Sequence, residues 1–363
     1  MAKIELVDIA HSYVPGEWAI QDINLTWEDG ISSALLGPSG CGKTTLLKII
    51  SGLLVPTQGT VLLDGKDVTM LSPQERNIAQ VFQFPVVYET LNVFDNLAFP
   101  LRNRGRDESY IKQRVNEVAG ILELDHVLKK NAQRLGAAEK QRISLGRGIV
   151  RESTTAVLFD EPLTVIDPHM KWHLRRKLKE IQQSLELTMI YVTHDQHEAL
   201  TFAEQVTVMN VGEALQTGAP GELHHSPEAP FVGYFIGSPG MNLFDAQLQD
   251  DQVVAGEVQI DVPSDVRDQL EGKQLKVGVR PEFAQLHTSS TPDGLVGTVS
   301  AMRMTGNSLI ADVNTEQLAF KVRLPETSQI KKGDEVWAVF PPENTVVYAN
   351  ERAVHFDKKG VAA

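Results

Sequence analysis

Short apolar runs alternate with amphipathic stretches along the N-terminal part of the chain. Continuous apolar runs of this kind indicate strands buried on both faces, as in a parallel sheet, and they occupy residues 31–36, 78–82, 156–160 and 189–193. Apolar residues at helical spacing predict helices at residues 44–50, 90–99 and 108–128. The alternation predicts an α/β domain built on a buried sheet.

The pattern changes beyond about residue 240. Residues 237–242 combine Gly, Ser and Pro in a linker-like stretch. The short alternating runs that follow are typical of β-strands and occupy residues 274–279, 295–302, 309–313, 319–324 and 335–340. Strands at this spacing predict a small all-β barrel of the OB type. We therefore expect a first domain at 1–236, with a helical subdomain at about 84–145, and an OB-like domain at 237–363.

The first apolar run leads directly into a glycine-rich segment. This segment fits the phosphate-binding pattern G-x-x-x-x-G-K-[ST] between a predicted strand and a predicted helix. Backbone N–H groups in such a loop and the helix dipole favour a bound anion. The lysine would reach the β- and γ-phosphates and the next threonine would hold Mg²⁺. The sequence thus predicts a nucleoside triphosphate site at Gly37, Pro38, Ser39, Gly40, Cys41, Gly42, Lys43, Thr44 and Thr45.

Other apolar runs end in polar side chains, which a parallel sheet would bring to one edge. After one run we expect Asp160 to join the Mg²⁺ shell and Glu161 to polarise the attacking water. His194 and Gln83 follow two further runs and could contact the γ-phosphate, the water or Mg²⁺. Tyr13 offers a flat face for adenine. Each has an ordinary alternative, namely a solvated acidic turn, a structural histidine, an unremarkable amide or a core or surface tyrosine.

Taken in order, these segments resemble the ATPase subunits of ABC transporters over residues 3 to about 240. The glycine-rich segment matches the Walker A loop of that family, and residues 157–161 match its Walker B strand. Further matches are the adenine-stacking aromatic residue, the Q-loop, the D-loop and the switch histidine, at Tyr13, Gln83, Asp167 and His194.

The resemblance implies a P-loop NTPase fold, with a RecA-like core and a helical subdomain. It also implies an ATPase that uses ATP and Mg²⁺. The residues expected to take part in hydrolysis are Glu161, His194, Lys43 and Gln83, and those expected near Mg²⁺ are Thr44, Gln83 and Asp160.

The family's signature motif is altered in this chain. Members carry Leu-Ser-Gly-Gly-Gln before a Gln-Arg pair, and the matching segment here is Leu-Gly-Ala-Ala-Glu before Gln141. In the family, this motif contacts the γ-phosphate held by the opposite subunit of a head-to-tail dimer. This chain lacks the hydroxyl, adds two methyl groups and adds a negative charge, at Gly136, Ala137, Ala138 and Glu139. We expect it to pair with a second, different ATPase subunit, and the alternative is an active homodimer whose backbone amides suffice.

The resemblance also names partners. In the family, the helical subdomain receives a short helix of a transmembrane permease, and residues 84–88 are candidates for that contact. Residues 280–282, Arg-Pro-Glu, resemble the regulatory domain of importer ATPases of the maltose type. This implies an importer that also uses a periplasmic or extracellular binding protein, with the chain at the cytoplasmic face of a bacterial inner membrane. A sugar, glycerol, another polyol and a glycerol phosphate remain open as cargo.

Composition narrows the function classes further. A formal net charge of −13 argues against broad binding of nucleic acid, so no nucleic-acid partner is expected. The single cysteine excludes an intrachain disulfide, which fits a reducing cytoplasm. An ABC ATPase of DNA repair or translation would usually carry two cassettes or basic insertions. A purely regulatory subunit would be expected to lose Lys43 or Glu161, and both are present.

Overall fold

The computed structural model describes residues 2–151 and 154–356. The chain forms two compact units, the first extending to Pro220 and the second beginning at Gly221. The strands of the first unit are β1 (Ile4–Val14), β2 (Glu17–Trp27), β3 (Ser32–Leu36), β4 (Gln58–Leu63), β5 (Lys66–Asp67), β6 (Ala79–Val81), β7 (Val157–Asp160), β8 (Met189–Thr193), β9 (Gln205–Asn210) and β10 (Glu213–Gly218).

The helices of the first unit are α1 (Lys43–Ser51), α2 (Pro73–Arg76), α3 (Val93–Arg102), α4 (Glu108–Ile121), α5 (Ala137–Ile149), α6 (Pro168–Leu185) and α7 (Gln196–Phe202). Two short 3₁₀ helices occupy Asp125–Val127 and Ala132–Arg134. No helix in residues 2–151 and 154–356 is long and apolar enough to cross a membrane.

A six-stranded sheet with the order β10-β9-β3-β8-β7-β6 forms the centre of the first unit. All its neighbours are parallel except β10 and β9. Strands β3, β7 and β8 are buried along their whole length, as expected for a sheet covered on both faces. Leu36 pairs with Thr193 and Asp160 pairs with Val192, so these strands end at one edge.

An antiparallel sheet with the order β2-β1-β4-β5 lies at the N-terminal end of the chain. Its apolar residues share one core with α1 and the central sheet, including Ile4, Ile20, Trp27, Leu46, Ile50, Leu158 and Ile190. The apolar pattern of the sequence did not predict this sheet, because β1 is interrupted by several shifts of register with β2.

Two features cap the C-terminal end of helix α1. Gly52 follows it with φ +79°, a left-handed conformation that favours glycine. The Arg76 side chain is 2% exposed and donates hydrogen bonds to the carbonyl oxygens of Ile49 (2.6 Å) and Ile50 (2.8 Å). Carbonyls that the helix itself leaves without partners are satisfied in this way, which fixes the far end of α1.

The helical segment contains α3 and α4, which the sequence pattern predicted, and α5, which it did not. Asn92 caps α3 by accepting a hydrogen bond from the backbone N of Asp95 at 2.7 Å. The helix predicted at residues 108–128 was too long, because α4 ends at Ile121. Glu123 then adopts φ +55°, which an α-helix cannot continue.

The second unit consists of two antiparallel sheets, with the orders β13-β12-β11-β14-β20-β21 and β15-β19-β16-β17-β18. Their strands are β11 (Asn242–Gln249), β12 (Gln252–Ala255), β13 (Val258–Asp261), β14 (Leu275–Val279), β15 (Gln285–His287), β16 (Leu295–Met304), β17 (Ser308–Asn314), β18 (Ala319–Pro325), β19 (Glu335–Val339), β20 (Thr345–Ala349) and β21 (Arg352–Val354). The helices are α8 (Pro220–His225), α9 (Pro230–Phe235), α10 (Ser264–Leu270) and a 3₁₀ turn at Pro342–Asn344. Each of the five strand segments predicted from sequence contains a strand.

The division between the two compact units, after Pro220, falls earlier in the chain than the domain boundary expected at 236/237. Within the second unit, the side chain of Arg280 is buried, with 1% of its surface exposed. Its guanidinium donates hydrogen bonds to the carbonyl oxygens of His224 (2.6 Å), Gly233 (3.2 Å) and Ile236. These bonds hold α8 and α9 to the second unit.

Candidate nucleotide-binding site

The glycine-rich loop connects the end of β3 to the start of α1. Gly42 precedes α1 with φ +102°, and Gly40 has φ +84°. Both values lie in the region where side chains other than glycine are strained. A Cβ atom on Gly42 would also lie 2.4 Å from Cγ2 of Ile20, so the loop depends on a close approach between α1 and β2.

Lys43 is buried beneath this loop, with 5% of its surface exposed. Its Nζ atom donates hydrogen bonds of 2.8 Å to the carbonyl oxygens of Gly37 and Pro38. The same atom lies 3.7 Å from Sγ of Cys41. The carbonyl oxygens of the loop therefore hold the ammonium group in place. Its positive charge would favour a phosphate bound at the loop.

Thr44, on α1, and Asp160, at the end of β7, lie next to each other. The Thr44 hydroxyl donates a hydrogen bond of 3.1 Å to Oδ1 of Asp160. Burial raises the pKa of the Asp160 carboxyl, and the hydrogen bond from Thr44 partly opposes this rise. A hydroxyl and a desolvated carboxylate are oxygen ligands of the kind that Mg²⁺ prefers, so the residues present fit this ion.

Glu161 lies at the end of β7 with φ +46°. Its backbone N donates a 3.0 Å hydrogen bond to the carbonyl oxygen of Val192 on β8. The side chain is 17% exposed, and besides a 3.5 Å contact from the Thr164 hydroxyl to Oε2 it meets an amide and an imidazole. Oε2 accepts a hydrogen bond from Nε2 of Gln83 at 3.3 Å, and Oε1 lies 3.1 Å from Nδ1 of His194. The structure thus brings together the carboxylate, amide and imidazole that the sequence placed at three strand ends.

A cavity of about 440 Å³ lies over the loop. Tyr13 stands at its margin, 58% exposed, with its hydroxyl 3.2 Å from Oγ1 of Thr45. The rings of His11 and Tyr13 pack edge-on, with their centroids 4.6 Å apart. The cavity is lined by Tyr13, Ala19, Ser39, Gly40, Gly42, Lys43, Thr44, Thr45, Gln83 and Glu161.

Two contacts of the site were missed from the sequence. Ala19 lines the cavity from β2, and an alanine in a strand gives no sign of such a role. The Thr164 hydroxyl donates a 3.0 Å hydrogen bond to the carbonyl oxygen of Glu161. Its spacing of three residues from Glu161 is typical of a turn closed by a side chain, which is a signal that the sequence did offer.

The altered signature segment lies outside the lining of this cavity. Gly136 precedes α5, and its backbone N donates a 3.0 Å hydrogen bond to Oε2 of Glu139. Gly136 and Ala137 are exposed, and Ala138 and Glu139 are half-buried. Within one chain, these four residues therefore do not join the residues that surround the cavity.

Comparison with known proteins places this chain in a family. The family model described as "ABC transporter" matches residues 20–164. The models described as "MalK OB fold domain" and "TOBE domain" match residues 237–283 and 277–347. The sn-glycerol-3-phosphate import ATP-binding protein UgpC of Pectobacterium atrosepticum is 41% identical over 314 residues, which cover 86% of this chain and 87% of the relative. The chain belongs to the ATP-binding subunits of ABC transporters.

Other members of the family show the same likeness. The sn-glycerol-3-phosphate import ATP-binding protein UgpC of Salmonella typhimurium is 36% identical over 354 residues, covering 97% of this chain and 99% of the relative. The solved structure of cbiO1 from Clostridium perfringens, part of the ABC transporter complex cbiONQ, has a TM-score of 0.56 and 27% identity, covering 61% of this chain and 89% of that chain. A dimeric post-hydrolysis state of the ATP-binding cassette MJ0796, bound to ADP and Pi, has a TM-score of 0.55 and 25% identity over 60% of this chain and 98% of that chain.

The family confirms several predictions from the sequence. The fold class is an ABC-type P-loop ATPase followed by an OB-like domain. The enzyme class is an ATPase coupled to import by an ABC transporter. ATPases of this family bind ATP and work with transmembrane permease subunits.

Proposed function

We propose that this chain hydrolyses ATP at the cavity over the glycine-rich loop to energise uptake of a glycerol phosphate or a related polyol. One observation carries the catalytic part of the proposal. Glu161 is held between Gln83 and His194, at 3.3 Å and 3.1 Å, beside the loop that would bind phosphates. A carboxylate at that place can polarise a water for attack on the γ-phosphate.

The other residues have separate roles. Tyr13 stacks on adenine, and the loop N–H groups and Lys43 hold the phosphates. Thr44 and Asp160 would hold Mg²⁺, and Gln83 is the third residue expected near the ion. The metal ion, when bound, neutralises charge on the phosphate oxygens. His194 orients the water and the carboxylate of Glu161.

The cargo is inferred from relatives, because the residues of this cavity suit a nucleotide. Proteins 36–41% identical to this chain are named sn-glycerol-3-phosphate import ATP-binding proteins. We therefore favour a phosphorylated polyol over glycerol itself or an unphosphorylated sugar. Selection of the cargo belongs to the permease and to a periplasmic or extracellular binding protein.

The permease surface is proposed at the segment that follows Gln83. Phe84, Val86 and Tyr88 are exposed by 74%, 48% and 40%, which is unusual for three apolar side chains in five residues. The Arg147 guanidinium lies 4.3 Å from the centre of the Tyr88 ring and steadies one end of this surface. Docking there would place the chain at the cytoplasmic face of the bacterial inner membrane.

The signature segment supports a pair of unlike ATPase subunits. Gly136 offers no hydroxyl, and the Glu139 carboxylate already accepts the hydrogen bond of the Gly136 N–H group. An ATP bound by the opposite subunit would meet a negative charge at this helix start. A partner with an unaltered signature would complete the site at Glu161, whereas this chain would complete the partner's site poorly.

The test is purification of the complex through a tag on this chain, followed by reconstitution in liposomes with ATP on the side of this chain. Uptake of sn-glycerol 3-phosphate is compared with that of maltose and glycerol, for the native chain and for Glu161→Gln. We expect uptake of the phosphorylated polyol, and hydrolysis about 100-fold slower in the variant with ATP binding retained. Uptake that does not depend on Glu161 would refute the proposed ATPase. A preference for maltose would refute only the proposal that the cargo is a phosphorylated polyol.

Native mass spectrometry of the same preparation tests the subunit pair. A second ATPase of different mass, beside the permease, is the expected composition. Two copies of this chain and no other ATPase would show that Leu-Gly-Ala-Ala-Glu is a working signature.

A further inference from the structure

The helix α5 lies directly against the strands that carry Gln83 and Glu161. Gly148 makes this approach possible, because a Cβ atom there would lie 2.7 Å from Cγ2 of Val81 on β6. About two turns earlier on the same helix, Gln141 is 0% exposed. Its amide therefore acts inside the protein, between the ends of β6 and β7.

The amide of Gln141 joins the backbones of those two strand ends. Nε2 donates hydrogen bonds to the carbonyl oxygen of Phe82 at 3.3 Å and to that of Pro162 at 2.7 Å. Phe82 directly precedes Gln83, and Pro162 directly follows Glu161. One buried amide thus bridges the chain neighbours of Gln83 and Glu161, whose side chains meet at 3.3 Å beside the cavity.

The backbone at this place needs such support. Glu161 has φ +46°, a left-handed conformation that is costly for a residue with a side chain and persists only where its surroundings enforce it. The bond from Glu161 N to Val192 O holds one side of the residue. The bond from Gln141 to Pro162 O holds the other side.

We propose that Gln141 is a positioning residue for hydrolysis, which fixes the Glu161 carboxylate relative to Gln83. This inference rests on the proposed function of Glu161. Since Gln141 sits on the helix that begins at the signature segment, a shift of α5 would move both strand ends together.

The chain offers a matched control in Gln182. This residue is 2% exposed, and its Nε2 donates to the carbonyl oxygens of Gly30 at 2.6 Å and Leu187 at 3.2 Å. In both glutamines, Oε1 is buried without a hydrogen-bond partner among the described residues. Replacement by methionine therefore removes the same buried amide and leaves two carbonyl oxygens unpaired in each case.

The experiment compares Gln141→Met and Gln182→Met in the purified transporter complex, with thermal midpoints measured for both. We expect Gln141→Met to lower kcat about 10- to 100-fold, as misplacement of a reacting group does, with KM for ATP within about threefold. Gln182→Met should keep kcat within about threefold at a comparable loss of thermal stability. If the methionine variant is insoluble, Gln141→Asn, which keeps the amide but shortens its reach, takes its place.

A second arm tests whether Gln141 acts through Glu161. In single-turnover hydrolysis, the double variant of Gln141→Met with Glu161→Gln should be no slower than Glu161→Gln alone, because residues acting as one unit are not additive. The inference is overturned if the double variant is slower than Glu161→Gln alone by the factor that Gln141→Met alone causes. It is also overturned if Gln141→Met and Gln182→Met lower kcat equally. Wild-type hydrolysis by Glu161→Gln would instead overturn the proposed function, and this inference with it.

Discussion

The Nδ1 atom of His194 lies 3.1 Å from Oε1 of Glu161, although 33 residues separate them in the chain. The end of β8 delivers the histidine, and the end of β7 delivers the carboxylate. The His194 side chain remains 54% exposed, whereas that of Glu161 is 17% exposed. The imidazole is therefore placed to orient the carboxylate of Glu161.

The first prediction concerns this contact. Replacement of His194 by Ala should lower kcat for ATP hydrolysis by about 100-fold or more, because a polar group that orients the reacting water is lost. ATP affinity, measured by titration with a fluorescent ATP analogue, should change little. His197→Ala is the control, since His197 is an exposed histidine on α7. Equal activity of both variants would remove His194 from the proposed site.

A second prediction follows from the buried carboxyl of Asp160. Burial raises its pKa above the ordinary value of 3.8. Below that value the group is neutral in the folded and the unfolded chain, and as pH rises the unfolded chain loses its proton first. Folding therefore becomes less favourable between the two pKa values, and the penalty is constant above the folded one.

Replacement of Asp160 by Asn should thus raise the thermal midpoint of the protein without nucleotide or metal. The gain should grow as pH rises from about 4 and then level off, while ATP hydrolysis is lost. Differential scanning fluorimetry across pH, in the presence of a chelator, measures the gain. Asp268→Asn, at an exposed position, should show no such trend. A gain from Asp160→Asn that did not vary with pH would contradict the argument.

The third prediction concerns the close approach at Gly42. Gly42→Ala combines left-handed backbone strain with a contact of 2.4 Å to Ile20 Cγ2. Strain of about 1 kcal/mol and overpacking of about 1–3 kcal/mol should add, and nucleotide binding should weaken. Gly65→Ala isolates the strain, because Gly65 has φ +73° and nothing lies within 4 Å of its added Cβ. Urea unfolding compares the two, and equal losses of stability would show that the approach to Ile20 is unimportant.

The fourth prediction concerns the signature segment. Restoration of the family motif requires the changes Gly136→Ser, Ala137→Gly, Ala138→Gly and Glu139→Gln. If this segment limits the site that it completes, restoration should raise ATP hydrolysis about tenfold or more, the value of one hydrogen bond to a charged group. Glu139→Gln alone separates removal of the charge from restoration of the hydroxyl. If the variant with all four substitutions hydrolyses ATP no faster than the native chain, the signature does not limit hydrolysis.

Much of the nucleotide site could be predicted because it follows from local patterns. The buried strands announce themselves as apolar runs, and parallel strands must end at one edge, so Asp160, Glu161 and His194 could be placed together. The bridge from Gln141 to Phe82 and Pro162 could not be predicted, because it depends on how closely α5 approaches β6. Contacts of this kind are set by packing, and a glutamine within a helix gives no local sign of them.

The antiparallel strands were harder to predict than the parallel ones. Strands β1 and β2 are long and irregular in register, so their apolar residues follow no simple alternation. In the second unit, β11, β12, β13, β15, β20 and β21 were missed, and in the first three of these polar residues alternate with buried ones and resemble loops. The end of α4 was not predicted, because Glu123 adopts a left-handed backbone conformation that is uncommon for glutamate.

The left-handed backbone of Glu161 restricts how this position can change in evolution. A single base change in a glutamate codon yields lysine, glutamine, valine, alanine, glycine or aspartate. Glycine and aspartate tolerate a positive φ best, whereas β-branched valine tolerates it poorly. A lineage that lost hydrolysis would therefore drift here toward Gly or Asp rather than Val. On the proposed role of Glu161, the chemistry of hydrolysis would hold an acid at a place where the backbone alone would favour glycine.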